Sequence, residues 1–79
     1  MKSSDRYLAF VRWSEEDACY VGFCPDLFPW GGVCHSSSSV DAYRQLVEVV
    51  EDHVVEREAA GEPLPEPRTR PMRELDLAA

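Results

Sequence analysis

Residues 7–13 read Tyr7-Leu8-Ala9-Phe10-Val11-Arg12-Trp13, a run rich in β-branched and aromatic side chains and too short for a convincing helix. Alternation sets Tyr7, Ala9, Val11 and Trp13 on one face and Leu8, Phe10 and Arg12 on the other, so both faces are largely apolar. A strand of this kind is expected at the centre of a sheet. Ser14-Glu15-Glu16-Asp17 lacks apolar periodicity and suits a short hairpin connection, after which residues 18–23 resume the strand pattern. The two runs predict an antiparallel pair.

Cys24-Pro25-Asp26-Leu27 ends the second strand, because proline has no amide hydrogen to give to a ladder, and Pro29 repeats the restriction. Gly31-Gly32 permits a turn, and Val33-Cys34-His35 is long enough for a third strand completing a meander. Ser38 with Asp41 three residues on approximates a capping box, which places the start of a long helix at residue 39. On 100° steps Val40, Tyr43, Leu46, Val47, Val50 and Val54 share one stripe, and Gly61 is a suitable left-handed stop after residue 60. The segment Gly61-Glu62-Pro63-Leu64-Pro65-Glu66-Pro67 cannot continue the helix and predicts a stiff, extended connection back along the domain. Residues 72–77 alternate in a manner compatible with a fourth, edge strand. The fold class expected is therefore α+β, in β-β-β-α-(β) order. Residues 1–79 form one domain, of which 62–79 are a Pro-rich tail.

Composition narrows the function. The 79 residues carry 15 acidic against 8 basic side chains, a net charge of −7, so non-specific binding to phosphate backbones is not expected and a basic protein partner fits better. A chain this short buries only roughly 60% of the surface its unfolded form exposes, and its stability is expected to gain from association. No apolar run approaches the ~20 residues that a membrane helix requires. The first residues lead directly into a strand-like segment, and three cysteines without regular spacing agree with a reducing compartment. A cytoplasmic location follows as an expectation.

The β-β-β-α-(β) order, the aromatic first strand, Pro25-Asp26-Leu27 after the second strand, Asp41-Ala42 opening the helix and the spaced prolines after Gly61 together resemble the HicB antitoxin family over about residues 7–67. Where that family usually has Gly-Asp-Thr before the helix this chain has Ser36-Ser37-Ser38, and its Phe28-Pro29-Trp30 loop is longer. The resemblance implies a partial RNase-H-like fold in which one helix covers one face of a small sheet. It further implies neutralisation of a HicA-type toxin, a small basic ribonuclease that cleaves messenger RNA. Many family members carry a C-terminal operator-binding domain, and the 12 residues after Pro67 are too few for one, so direct nucleic-acid contact is not expected.

The chemistry-bearing residues favour binding over catalysis. Two-metal hydrolysis needs several carboxylates converging on a metal pair about 4 Å apart, yet residues 7–13 hold no Asp or Glu, and Asp5, Asp26, and Glu48 with Asp52 fall at a strand end, in a loop and on the outer helix face. No enzymatic activity, cofactor or metal is expected. Cys19, Cys24, Cys34 and His35 are the one candidate zinc set, but alternation sends Cys19 and Cys24, and likewise Cys34 and His35, to opposite faces. The same divergence weakens Cys34 and His35 as a nucleophile and base. The serines at 36–39 read as helix capping before they read as a phosphate loop.

On the outer helix face Asp41, Gln45, Glu48, Asp52 and Glu56 include like charges at i,i+4, each such pair costing roughly 0.2–0.5 kcal/mol in isolation. Solvation accounts for such a ridge, and docking of a cationic partner is the alternative. Val49 falls among these acids, outside the core stripe. Phe28 and Trp30 either close one end of the core or anchor a partner. One helix covers only one face of a sheet that is apolar on both, so a homodimer or higher oligomer is expected. The contact residues expected for a HicA-like toxin, from charge and exposure, are Asp26, Trp30, Glu48, Asp52 and Glu56. A stand-alone oligomeric adaptor or small-ligand-binding domain is the other reading.

Overall fold

The computed structural model describes residues 2–69. A 3-10 turn at Ser3–Arg6 precedes strands β1 (Phe10–Ser14), β2 (Cys19–Phe23) and β3 (Cys34–Ser36), and a 21-residue helix α1 (Ser39–Ala59) follows. The strands form an antiparallel sheet in the order β1-β2-β3 with α1 packed on one face, an α+β architecture. The segment expected to add a fourth strand lies outside the described residues.

Among those residues β1 is an edge strand and β2 the central one, which corrects the expectation that the first strand is central. In a meander only the second strand can have a neighbour on both sides.

Pairing runs from Phe10 opposite Phe23 to Ser14 opposite Cys19, and from Tyr20 opposite Ser36 to Gly22 opposite Cys34. Val11, Gly22 and Cys34 consequently share the helix-side face. A Cβ at Gly22 would meet the Cys34 sulfur at 2.7 Å and Leu46 at 3.2 Å, so the missing side chain is what lets α1 settle close to the sheet. On the far face Phe10 and Phe23 stack at 5.2 Å as a cross-strand pair.

Both ends of α1 are built by local chemistry. The Ser38 hydroxyl accepts from the Asp41 amide at 3.3 Å. At the other end Glu62 donates to the Arg57 carbonyl and Gly61, at φ +74°, donates to that of Glu58, the two bonds of a Schellman stop.

The buried residues of α1 are Ala42, Leu46, Val50 and Val54. Val40, Tyr43 and Val47, assigned to the core by periodicity, are 75%, 49% and 36% exposed, whereas Val49 is half-buried against the core. The apolar arc is wider than the face the sheet can cover. The close approach at Gly22 centres the contact on Leu46, which brings small Ala42 and Val49 inward and leaves the opposite flank of the arc in solvent. Tyr7, Cys24, Leu27 and Phe28 complete the core.

After Gly61 the chain forms an extended strap held at four levels. Arg57 Nη2 donates to the Pro63 carbonyl at 2.8 Å, Leu64 packs against the core, and the Tyr7 hydroxyl donates to the Pro65 carbonyl at 2.6 Å. Asp26 then accepts from the amides of Arg68 and Thr69 and from the Thr69 hydroxyl.

Candidate protein-binding surface

Leu27 and Phe28 both donate to the Cys24 carbonyl, a tight turn enforced where Pro25 stops the β2 ladder. This turn buries Phe28, whose ring lies 4.7 Å from the His53 imidazole on α1. Trp30 stands edge-on to Phe28 at 5.6 Å and is 74% exposed. The two aromatics divide the roles expected of the loop. Phe28 closes the core, and Trp30 is offered to solvent against that buried ring.

Glu48, Asp52 and Glu56 are exposed along the outer face of α1. Arg44 reaches Asp41 at 3.4 Å and Glu48 at 3.9 Å, and such exposed pairs contribute little. Asp52 and Glu56 form no ion pair among the described residues. This ridge thus keeps most of its negative charge for whatever approaches it.

Asp26 is placed differently. Its carboxylate is half-buried and accepts three hydrogen bonds at 2.9–3.0 Å from the strap. Burial by itself would raise its pKa, but the Thr69 amide and hydroxyl and the Arg68 amide outweigh it and hold the carboxyl below the usual carboxylate range. Of the five residues selected by charge and exposure, Glu48, Asp52 and Glu56 share one ridge. Trp30 is linked to α1 through Phe28 and His53, and Asp26 is occupied within its own chain. No short-range signal announced that last partnership, because residues 26 and 69 are far apart in sequence.

Two further surfaces flank the sheet. On the face away from α1, a concavity of about 840 Å³ is lined by Arg12, Cys19, Val21, Phe23, Val33 and His35, with the acidic hairpin at one end. Among the described residues no element covers this face, and its apolar side chains are half-buried rather than bare. On the flank of α1 next to β1, a concavity of about 450 Å³ is lined by Leu8, Ala9, Tyr43 and Val47, with Arg6 and Glu51 also at its walls. Sequence reasoning missed this second surface because it assigned Tyr43 and Val47 to the core.

The sulfur-bearing residues separate as alternation predicts. Cys24 and Cys34 lie beneath α1, Cys34 donating to the Ala42 carbonyl at 3.4 Å, while Cys19 and His35 fall on the opposite face of the sheet. Burial pushes both the Cys24 and the Cys34 thiols above the ordinary thiol pKa. Among the described residues no three His, Cys, Asp or Glu side chains are grouped so as to hold a metal ion. No described helix is long and apolar enough to cross a membrane.

Neither a protein-family model nor a curated protein nor a solved structure matches the chain.

Proposed function

We propose that this domain is a cytoplasmic, non-catalytic antitoxin of HicB-like type that binds and masks a small basic HicA-type ribonuclease. The single observation that carries the reading is the presence of an exposed indole at Trp30, seated against buried Phe28, together with the exposed acids Asp52 and Glu56 on α1, which form no ion pair among the described residues. Aromatic anchors set in a rigid seat and rimmed by charge are the residues that dominate protein interfaces. The mechanism is occlusion: carboxylates of the ridge take the place of substrate phosphates against the toxin's cations while Trp30 fixes the register. Asp26 serves this surface indirectly, by tying down the strap.

The test is co-expression with the basic protein encoded in the neighbouring reading frame. The native chain is expected to protect growth and to co-purify with it. Replacing Glu48, Asp52 and Glu56 together by Lys is expected to abolish both effects. Full protection by the charge-reversed chain removes this face from the interaction.

The second reading, a stand-alone adaptor or small-ligand binder, is favoured by the concavity on the outer sheet face, where the exposed Arg12 and His35 side chains stand over an apolar floor. Absence of a basic neighbour, together with a bound small molecule released on denaturing the purified protein, decides for it.

A further inference from the structure

The loop that carries Trp30 is gripped from two directions. From the core, Leu27 and Phe28 are buried, and Phe28 meets His53 of α1 at 4.7 Å. From the strap, Arg68 and Thr69 donate to Asp26, which sits within the turn that the Leu27 and Phe28 amides close onto the Cys24 carbonyl. The strap that brings these donors leaves α1 at Gly61 and stays tied to the helix, since Arg57 donates to the Pro63 carbonyl at 2.8 Å. It thus runs from the helix bearing Glu48, Asp52 and Glu56 to the loop bearing Trp30 and is fixed to both.

Its composition suits a part that transmits position. Pro63, Pro65 and Pro67 lock φ at alternate residues, so the segment is stiff and extended. Leu64 and the Tyr7 bond to Pro65 hold its middle against the domain. At the far end three donors converge on one carboxylate, and bonds to an ionised acceptor are roughly twice as strong as neutral ones.

We propose that residues 63–69 are a brace, closed on Asp26, that holds Trp30 in register with the acidic ridge of α1, so that opening the clasp weakens partner binding without removing a contact residue. The consequence for binding rests on the masking reading, whereas the mechanical link between strap and indole does not. Asp26 and Thr69 are then positioning residues that act through Trp30. Because the closed clasp and the bound partner favour one another, the effect is reciprocal: a partner seated on Trp30 and the ridge tightens the strap by the factor by which the strap tightens the partner. The binding surface is thereby regulated from the strap.

The free chain provides the first test. With Trp13→Phe as background Trp30 is the sole indole, and time-resolved fluorescence anisotropy reads its local motion. Asp26→Asn and, from the strap side of the clasp, Thr69→Val are each expected to increase that motion at neutral pH with an unchanged far-ultraviolet spectrum. Leu46→Ala, which destabilises the core without touching the clasp, is expected to leave it at the native value while the chain is folded, so a general loss of stability cannot imitate the effect. The second test uses the basic protein of the neighbouring reading frame. Both clasp variants are expected to weaken its capture roughly 5-fold or more, and its binding to the native chain is expected to slow hydrogen exchange at Arg68 and Thr69 by a comparable factor. Unchanged motion of Trp30 in both clasp variants, or native affinity in both, overturns the brace, and a chain that still protects growth then keeps the masking reading. Loosening of Trp30 in a chain that captures no basic protein supports the brace and removes the masking reading.

Discussion

The Tyr7 hydroxyl donates to the carbonyl of Pro65 at 2.6 Å, a bond between residues 58 positions apart that pins the strap to the start of the sheet. Burial raises the Tyr7 phenol above its ordinary pKa, so it stays protonated and able to donate throughout the neutral range. Tyr7→Phe keeps the buried ring and deletes the bond. Urea denaturation is expected to show a loss of about 0.5–1.5 kcal/mol, the net worth of one intramolecular hydrogen bond. An unchanged midpoint assigns the strap's attachment wholly to Arg57, Leu64 and Asp26.

Asp26 makes that attachment sensitive to acid. Its folded-state pKa lies below the unfolded value, so its contribution is complete above the ordinary aspartate pKa of about 3.9 and is lost as pH falls through the lower folded value. Hydrogen exchange at the Arg68 and Thr69 amides is therefore expected to be protected at neutral pH and to lose protection in acid. Asp26→Asn is expected to weaken protection at neutral pH and to flatten the acid dependence, because an amide accepts less strongly than a carboxylate.

The thiols report burial directly. Cys24 is fully buried and its pKa is raised, so a thiol reagent at neutral pH is expected to modify Cys19 on the far face of the sheet first and Cys24 only when the domain unfolds. Mass spectrometry of the partially labelled protein checks the order. Early modification of Cys24 shows that α1 lifts from the sheet without global unfolding.

Packing around Gly22 sets the core's tolerance. Leu46→Ala removes a fully buried side chain and is expected to cost about 2–5 kcal/mol. Gly22→Ala forces a methyl against Cys34 and Leu46 and is expected to cost about 1–3 kcal/mol. Val40→Ser, at a position that is 75% exposed, is expected to change stability by no more than about 0.5 kcal/mol. Thermal melts of the three variants order them.

Phe28 and Trp30 are expected to separate stability from binding. Phe28→Ala empties a buried site and is expected to cost about 3–5 kcal/mol. Trp30→Ala is expected to leave the melting temperature within a few degrees of the native value while abolishing capture of the proposed toxin partner. A Trp30→Ala chain that still protects removes the indole from the contact set.

Much of the chain is legible because its signals are short-range. The two glutamates and the aspartate after Ser14 mark the hairpin, Ser38 marks the helix start, and Gly61 with the following prolines marks its stop. Each depends on residues within a few positions of one another, and the meander and the single helix follow from their order. The ridge of Glu48, Asp52 and Glu56 was equally visible, since helical spacing alone places them on one exposed face.

What the sequence determined by itself, then, is the succession of elements and their ends, since hydrogen bonds that close within one turn need no distant partner. Only the tertiary structure decided how the elements meet. Among the described residues it put β1 at an edge, and it seated α1 on Gly22 so that Ala42 went inward and Tyr43 outward, and gave Asp26 to the amides of Arg68 and Thr69. These are contests between surfaces and groups far apart along the chain. Periodicity names the residues able to be buried, but the closest approach of two backbones selects which of them are.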